Sequence, residues 1–177
     1  MSSLKLIRAI RSRNSSKMLE LLEQNPSPRA RDLPTYTPLH CASQTGVKYV
    51  QILSEKLEDA LFKRYLRQGT ETGDTPVHLA CSKRPCSDRF VHSAILKFLC
   101  ESYPEEMKLI IYESYNEECF TPLQLVLIEG NRKAFKTIST LFNLTKKEIK
   151  MCLSKEEMFT EECYAIFEEA IKRECSC

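Results

Sequence analysis

Nine cysteines and three histidines supply the nucleophiles, bases and soft-metal ligands of this 177-residue chain. Cys81, Cys86, His92 and Cys100 have the ligand types that zinc takes. Compact zinc sites usually present their ligands in close pairs, however, and Cys81 and Cys100 stand at apolar positions of helical stretches. A cysteine-dependent enzyme would need a thiolate beside a base and an orienting group, and no motif around any cysteine provides them. The cysteine count is odd, so a disulfide framework is not expected. Cys41, Cys81 and Cys100 are expected as reduced, buried, small hydrophobes. No catalytic residue, metal ligand or cofactor is assigned.

His40 and His78 lie in a pattern that recurs. Thr37-Pro38-Leu39-His40-Cys41-Ala42 returns as Thr75-Pro76-Val77-His78-Leu79-Ala80, and as Thr121-Pro122-Leu123-Gln124-Leu125-Val126. Each threonine can cap a helix with its side-chain oxygen, and the proline after it suits the first helical position, where a missing N–H costs nothing. Leu39 and Ala42, Val77 and Ala80, and Leu123 and Val126 are spaced i, i+3. Each pair lies on one face, too narrow to form a core alone, that must be buried against a neighbour. Gly46 and Gly130 fall where the first helix of a unit stops and the chain reverses.

A Thr-Pro-Leu-His-x-Ala element repeating at intervals of tens of residues resembles the ankyrin repeat, a β-turn and two antiparallel helices of about 33 residues. The resemblance covers roughly residues 4 to 144 and implies an all-α solenoid of helix-turn-helix units joined by fingers. It places His40 and His78 in the family's structural position, hydrogen-bonding backbone between neighbouring repeats, with Gln124 making a similar bond.

Residues 4–31 read as a degenerate capping repeat, with Ile7 and Ile10 in the places of Leu39 and Ala42, and Asn14 in that of Gly46. Lys5, Arg8, Arg11 and Arg13 supply the charge that a terminal repeat exposes to water. Pro26 to Pro34 read as the first finger. Residues 32–69 form repeat 2, in which Leu61 to Leu66 can be an extended or a helical insertion. Residues 70–115 form repeat 3, with an insertion at 82–89, of which Lys83 to Arg89 is expected to be exposed. The second helix of that repeat carries Phe90, Ala94, Ile95, Phe98 and Leu99, and Ile110-Ile111-Tyr112 favour an extended conformation. Tyr112 to Phe120 read as the longest finger. Residues 116–144 form repeat 4, and 145–177 a helical C-terminal cap, in which Cys163, Ile166, Phe167, Ala170 and Ile171 make an apolar stripe beside glutamates. Thr35 and Cys119 replace the turn glycine found at Gly73, so fingers less stable than the family's, ordered on binding, are expected there. The closing Cys175-Ser176-Cys177 lacks the four-residue prenylation box and is expected as an unmodified tail.

The formal net charge is +2, with both signs interspersed. Neither a nucleic-acid surface nor a small-molecule substrate is indicated. No apolar run approaches a membrane span, and Met1 to Ile10 do not read as a secretion signal; an intracellular protein, cytoplasmic or also nuclear, is expected. The resemblance implies a non-enzymatic protein-binding module. Among small free-standing members, those that regulate protein kinases, as cell-cycle inhibitors or regulatory subunits, fit length and repeat number best. An inhibitor of a transcription factor, a ubiquitin-ligase adaptor and a pathogen effector are the alternatives, with a metal-binding protein or cysteine-dependent enzyme behind them. Carried over by position, the partner-contacting surface falls on Leu33, Tyr36, Gln44 and Thr45, on Glu71, Asp74, Ser82 and Lys83, and on Glu118, Phe120, Ile128 and Glu129. Tyr36, Phe120 and Ile128 are expected as exposed apolar anchors.

Overall fold

The computed structural model describes residues 3–24, 35–82 and 91–145, together with 147. In these the chain forms ten helices and no strand: α1 (Ser3–Arg11), α2 (Ser15–Gln24), α3 (Pro38–Thr45), α4 (Val47–Lys56), α5 (Asp59–Arg67), α6 (Pro76–Cys81), α7 (Val91–Ser102), α8 (Pro104–Glu113), α9 (Pro122–Ile128) and α10 (Arg132–Phe142). Four pairs stack in series. The inner helices α1, α3, α6 and α9 pack side by side, and the outer helices α2, α4, α7 and α10 form a second row behind them.

The repeated Thr-Pro starts act as their chemistry requires. Thr37, Thr75 and Thr121 cap α3, α6 and α9, each side-chain oxygen accepting the backbone N–H of the residue three positions on. Isolated helices as short as α6 are unstable in water. Stacking supplies what length does not: every residue of α6 is buried. Leu39, Val77 and Leu123 are fully buried at the same position of successive units, each such side chain contributing about 1.5–3 kcal/mol.

The reversal between paired helices is built twice in the same way. Asn131 N–H donates to Val126 O at 2.9 Å and Gly130 N–H to Leu127 O at 3.1 Å; Asn14 N–H donates to Ala9 O at 3.0 Å and Arg13 N–H to Ile10 O at 2.9 Å. These bonds correct the register of the first repeat by one residue. Ala9, not Ile10, takes the place of Val126, and Arg13, with φ 55°, not Asn14, stands at the left-handed position of Gly130. Asn14 instead caps α2, its side-chain oxygen accepting the Lys17 N–H at 2.9 Å. Lys5, Arg8, Arg11 and Arg13 are exposed, as a capping unit needs.

Two further helices account for the spacing of the Thr-Pro elements. Residues 61–66 are helical, within α5, and Ile110-Ile111-Tyr112 are helical too, against the extended reading. Pro104 starts α8, and Met107, Ile110 and Ile111 are buried on one face, so packing overrides β-propensity. The longest finger therefore begins at Ser114. Both added helices follow an outer helix and lean on the next inner one, α5 on α6 and α8 on α9. Phe62 stacks on Tyr103 at a centroid distance of 4.9 Å, the Ser54 and Tyr103 hydroxyls are 2.8 Å apart, and Arg67 binds the Glu106 carboxylate. On α7, Ala94 is exposed, and Leu96 joins Ile95 and Leu99 in the core instead. The first finger at 26–34, Phe90, the 83–89 part of the insertion and nearly all of the proposed cap at 145–177 lie outside the described residues.

Candidate protein-binding surface

The two histidines are joints between units. Thr37 N–H donates to His40 Nδ1 at 3.0 Å, so the ring proton sits on Nε2, which donates to Asp74 O at 3.0 Å. His78 repeats this with Thr75 N–H at 3.1 Å and Phe120 O at 2.9 Å. Both nitrogens of each ring are engaged, and burial lowers both imidazole pKa values, His40 to about 4. These are neutral structural groups rather than metal ligands or bases. Gln124 takes the same part locally, its Oε1 accepting Thr121 N–H at 2.8 Å.

Burial likewise raises the thiol pKa values of Cys41, Cys81 and Cys100, the last to about 12, so they stay protonated at neutral pH. Cys81 and Cys100 belong to the core on α6 and α7. Cys86 and the His92 side chain lie outside the described residues. Among the described residues no three His, Cys, Asp or Glu are grouped to hold a metal ion, and no helix is long and apolar enough to cross a membrane.

The residues assigned to partner contact separate into two groups. Tyr36, Gln44 and Thr45 gather at the second unit. Tyr36 is half-buried, stacked on His40 at 5.4 Å, its hydroxyl donating to Gln44 Oε1 at 2.7 Å and its ring under the Arg11 guanidinium at 5.6 Å. The expectation of a water-exposed Tyr36 is corrected accordingly: the ring is part of the joint. Thr45 donates to Cys41 O at 2.7 Å.

Asp74, Ser82, Glu118 and Glu129 come together around one concavity of about 180 Å³, with Asn116 and Glu117 on the same wall. Its deeper groups are tied to one another. Asp74 accepts from Asn116 at Oδ1 and from Thr72 at Oδ2, both at 3.0 Å. The Ser82 hydroxyl donates to the Glu129 carboxylate at 3.0 Å. Ser82, assigned to partner contact, is thus buried. Glu71, Glu117 and Glu118 are exposed at the finger tips.

Phe120 is the clearest correction. It is 7 % exposed, not an anchor held out in water. The bonds of its finger hold it inward: Phe120 N–H donates to Asn116 Oδ1 at 2.9 Å while its carbonyl is fixed by His78. Ile128 is half-buried. Leu33 and Lys83 lie outside the described residues. Asn116, Thr72 and Arg11 were not singled out by sequence. Asn116 could have been found by aligning the fingers on Gly73 and Cys119, which sets it opposite Thr70.

A family model for ankyrin repeats in three copies matches residues 6–109. The chain belongs to the ankyrin repeat family. The match ends before the last Thr-Pro element, yet α9 and α10 continue the ankyrin stack with the same cap and turn. A search of curated proteins gives no match. Ankyrin repeats are modules of protein–protein interaction and are generally non-enzymatic. In this one the concavity has exposed carboxylates of Glu117 and Glu118 at its rim, over Asp74, Asn116, Ser82 and Glu129 groups that bond one another.

Proposed function

We propose that this ankyrin solenoid regulates a larger protein by occupying its surface, without turnover of its own, and that the partner is a protein kinase for which the chain serves as a regulatory or inhibitory subunit in the cytoplasm or nucleus. The observation that carries the reading is the concave surface, where Glu71, Glu117 and Glu118 project at the tips while Asp74, Ser82 and Glu129 are committed to internal bonds. Such a face supplies an extended interface and no desolvated acid–base pair. The kinase reading is supported by the resemblance in repeat number to small kinase-regulating ankyrin proteins. The test is a binding and activity assay against a panel of purified protein kinases, with the E71K/E118K double variant beside the wild type. At least one kinase is expected to bind and change its rate, and the double variant is expected to weaken that binding tenfold or more without altering the melting temperature. No kinase affected, or one bound equally well by the variant, overturns the proposal.

A further inference from the structure

The inner row of the solenoid is divided by charge. Residues 3–14 carry Lys5, Arg8, Arg11 and Arg13 and no acidic residue, and residues 36–46 carry no Asp, Glu, Lys or Arg. Residues 68–82 and 115–131 carry Glu71, Asp74, Glu117, Glu118 and Glu129 and no Lys or Arg. The register of the first unit puts its cations on the concave side. Ala9 stands in the place of Val126, so Arg8 takes that of Leu125 and Leu79, and Arg11 that of Ser82. Leu79, Ser82 and Leu125 all line the concavity. The Arg11 guanidinium lies 5.6 Å from the Tyr36 ring centroid, and Lys5, three residues before Arg8, shares its side of α1. Lys5, Arg8, Glu117 and Glu118 are exposed.

The two charged ends act separately. Packed helices lie about 8–10 Å apart, so α1 and α9, three steps apart in the inner row, are separated by about 25–30 Å. Charges in physiological salt are screened over about 8 Å, so neither end cancels the other and each attracts its opposite sign. A segment of one sign meets repulsion at one end, and a segment carrying both signs meets none. We propose that the concave face takes an extended segment of the partner protein that is acidic at one end and basic at the other. Its acidic residues lie on Lys5, Arg8 and Arg11, and its basic residues on Glu117 and Glu118 at the rim of the concavity. An extended chain covers about 25–30 Å in roughly eight residues, which sets the spacing between its two charged groups. This rests on the concave face being the binding surface, as proposed above, and adds the chemistry and the direction of what lies there.

The test uses the full chain and three labelled peptides of equal length, each with two charged blocks separated by six glycines and serines. The blocks are glutamate and arginine in the mixed peptide, and both glutamate or both arginine in the others. Fluorescence anisotropy at physiological salt is expected to show the mixed peptide bound at least fivefold tighter than either single-sign peptide. K5E/R8E is expected to shift the preference to the arginine peptide, and E117K/E118K to the glutamate peptide. K56E/K108E changes the net charge as K5E/R8E does, at exposed positions of α4 and α8, and is expected to leave the mixed peptide preferred. Circular dichroism checks that the helices persist in all three variants. No binding of the mixed peptide, a single-sign peptide bound as tightly by the wild type, or a K56E/K108E shift equal to that of K5E/R8E overturns the proposal. No kinase takes part, so a failed kinase panel leaves these rankings standing. A single-sign preference that only the concave variants shift overturns the polarity and spares the concave face as a binding surface, whereas a ranking that no concave variant shifts overturns both.

Discussion

In the finger at 70–74, Thr70 N–H donates to Asp74 O at 3.0 Å and Gly73 N–H to Thr70 O at 3.0 Å; in the finger at 116–120, Asn116 N–H donates to Phe120 O at 3.1 Å and Cys119 N–H to Asn116 O at 3.0 Å. The left-handed residue is Gly73 in one, with φ 72°, and Cys119 in the other, with φ 63°. Loss of the glycine has not changed the turn. The difference lies in what stands against each. A Cβ on Gly73 would come within 3.0 Å of Asn116 Cα and Glu117 N, because the later finger stacks on the earlier one through the Glu117 N–H bond to Thr72 O. Gly73 thus needs both a positive φ and the absence of a side chain. Cys119 needs only the positive φ, and its side chain is exposed. A left-handed non-glycine residue costs on the order of 1 kcal/mol, which the His78 and Asn116 bonds to Phe120 offset. The expected instability of a finger without glycine is therefore small.

The joints give the largest test of that equivalence. His40→Ala and His78→Ala each remove one of the two bonds to a buried carbonyl, leave a threonine N–H without its ring acceptor and open a cavity, and each is expected to lower unfolding free energy by about 3 kcal/mol. Urea denaturation measures both, and a loss below about 1 kcal/mol at either would show that its finger is held some other way. A smaller effect, about 2 kcal/mol, is expected for Gly73→Ala, while Cys119→Ala should be nearly neutral. Equal losses at the two positions would remove the distinction drawn from stacking.

Acid titrates the same joints. The folded-state pKa of His40 is depressed to about 4, below its unfolded value near 6.5, so the neutral ring stabilises the fold above pH 6.5 and that contribution falls as pH drops towards 4. Burial acts on His78 in the same direction. From pH 7 to pH 5, His40 alone is expected to cost about 2 kcal/mol of stability. A His40→Gln variant should lose its share of this slope, and an unchanged slope in denaturation curves across that range would exclude the histidine as its source. The smallest effect sharpens the comparison from the other side: Cys119→Gly should stabilise by about 0.5–1 kcal/mol through relief of the left-handed strain. Calorimetry that finds destabilisation would mean the cysteine side chain makes a contact of its own.

What the sequence by itself determined were the features whose cause lies within a few residues. Thr37, Thr75 and Thr121 cap helices because a hydroxyl, a proline and a first turn suffice, and Leu39 with Ala42, Val77 with Ala80 and Leu123 with Val126 each share a buried face because i, i+3 spacing puts them on one side of a helix. The roles of His40 and His78 were implied by the resemblance to the ankyrin repeat, since their partners Asp74 and Phe120 lie 34 and 42 positions away. Tertiary structure alone decided whatever depends on a neighbouring unit. Phe120 has the composition of an exposed anchor, yet His78, 42 positions earlier, holds its carbonyl and turns the side chain inward. Ile110 and Ile111 have β-forming side chains, yet α7 and α9 on either side bury them as a helix. Arg13 gave no sign of a left-handed backbone, since its φ is fixed by bonds to Ala9 and Ile10 once α1 and α2 pair. Caps and periodicity are local free energies, readable from the residues that make them; burial and strain belong to the surfaces that meet, and no single repeat contains both.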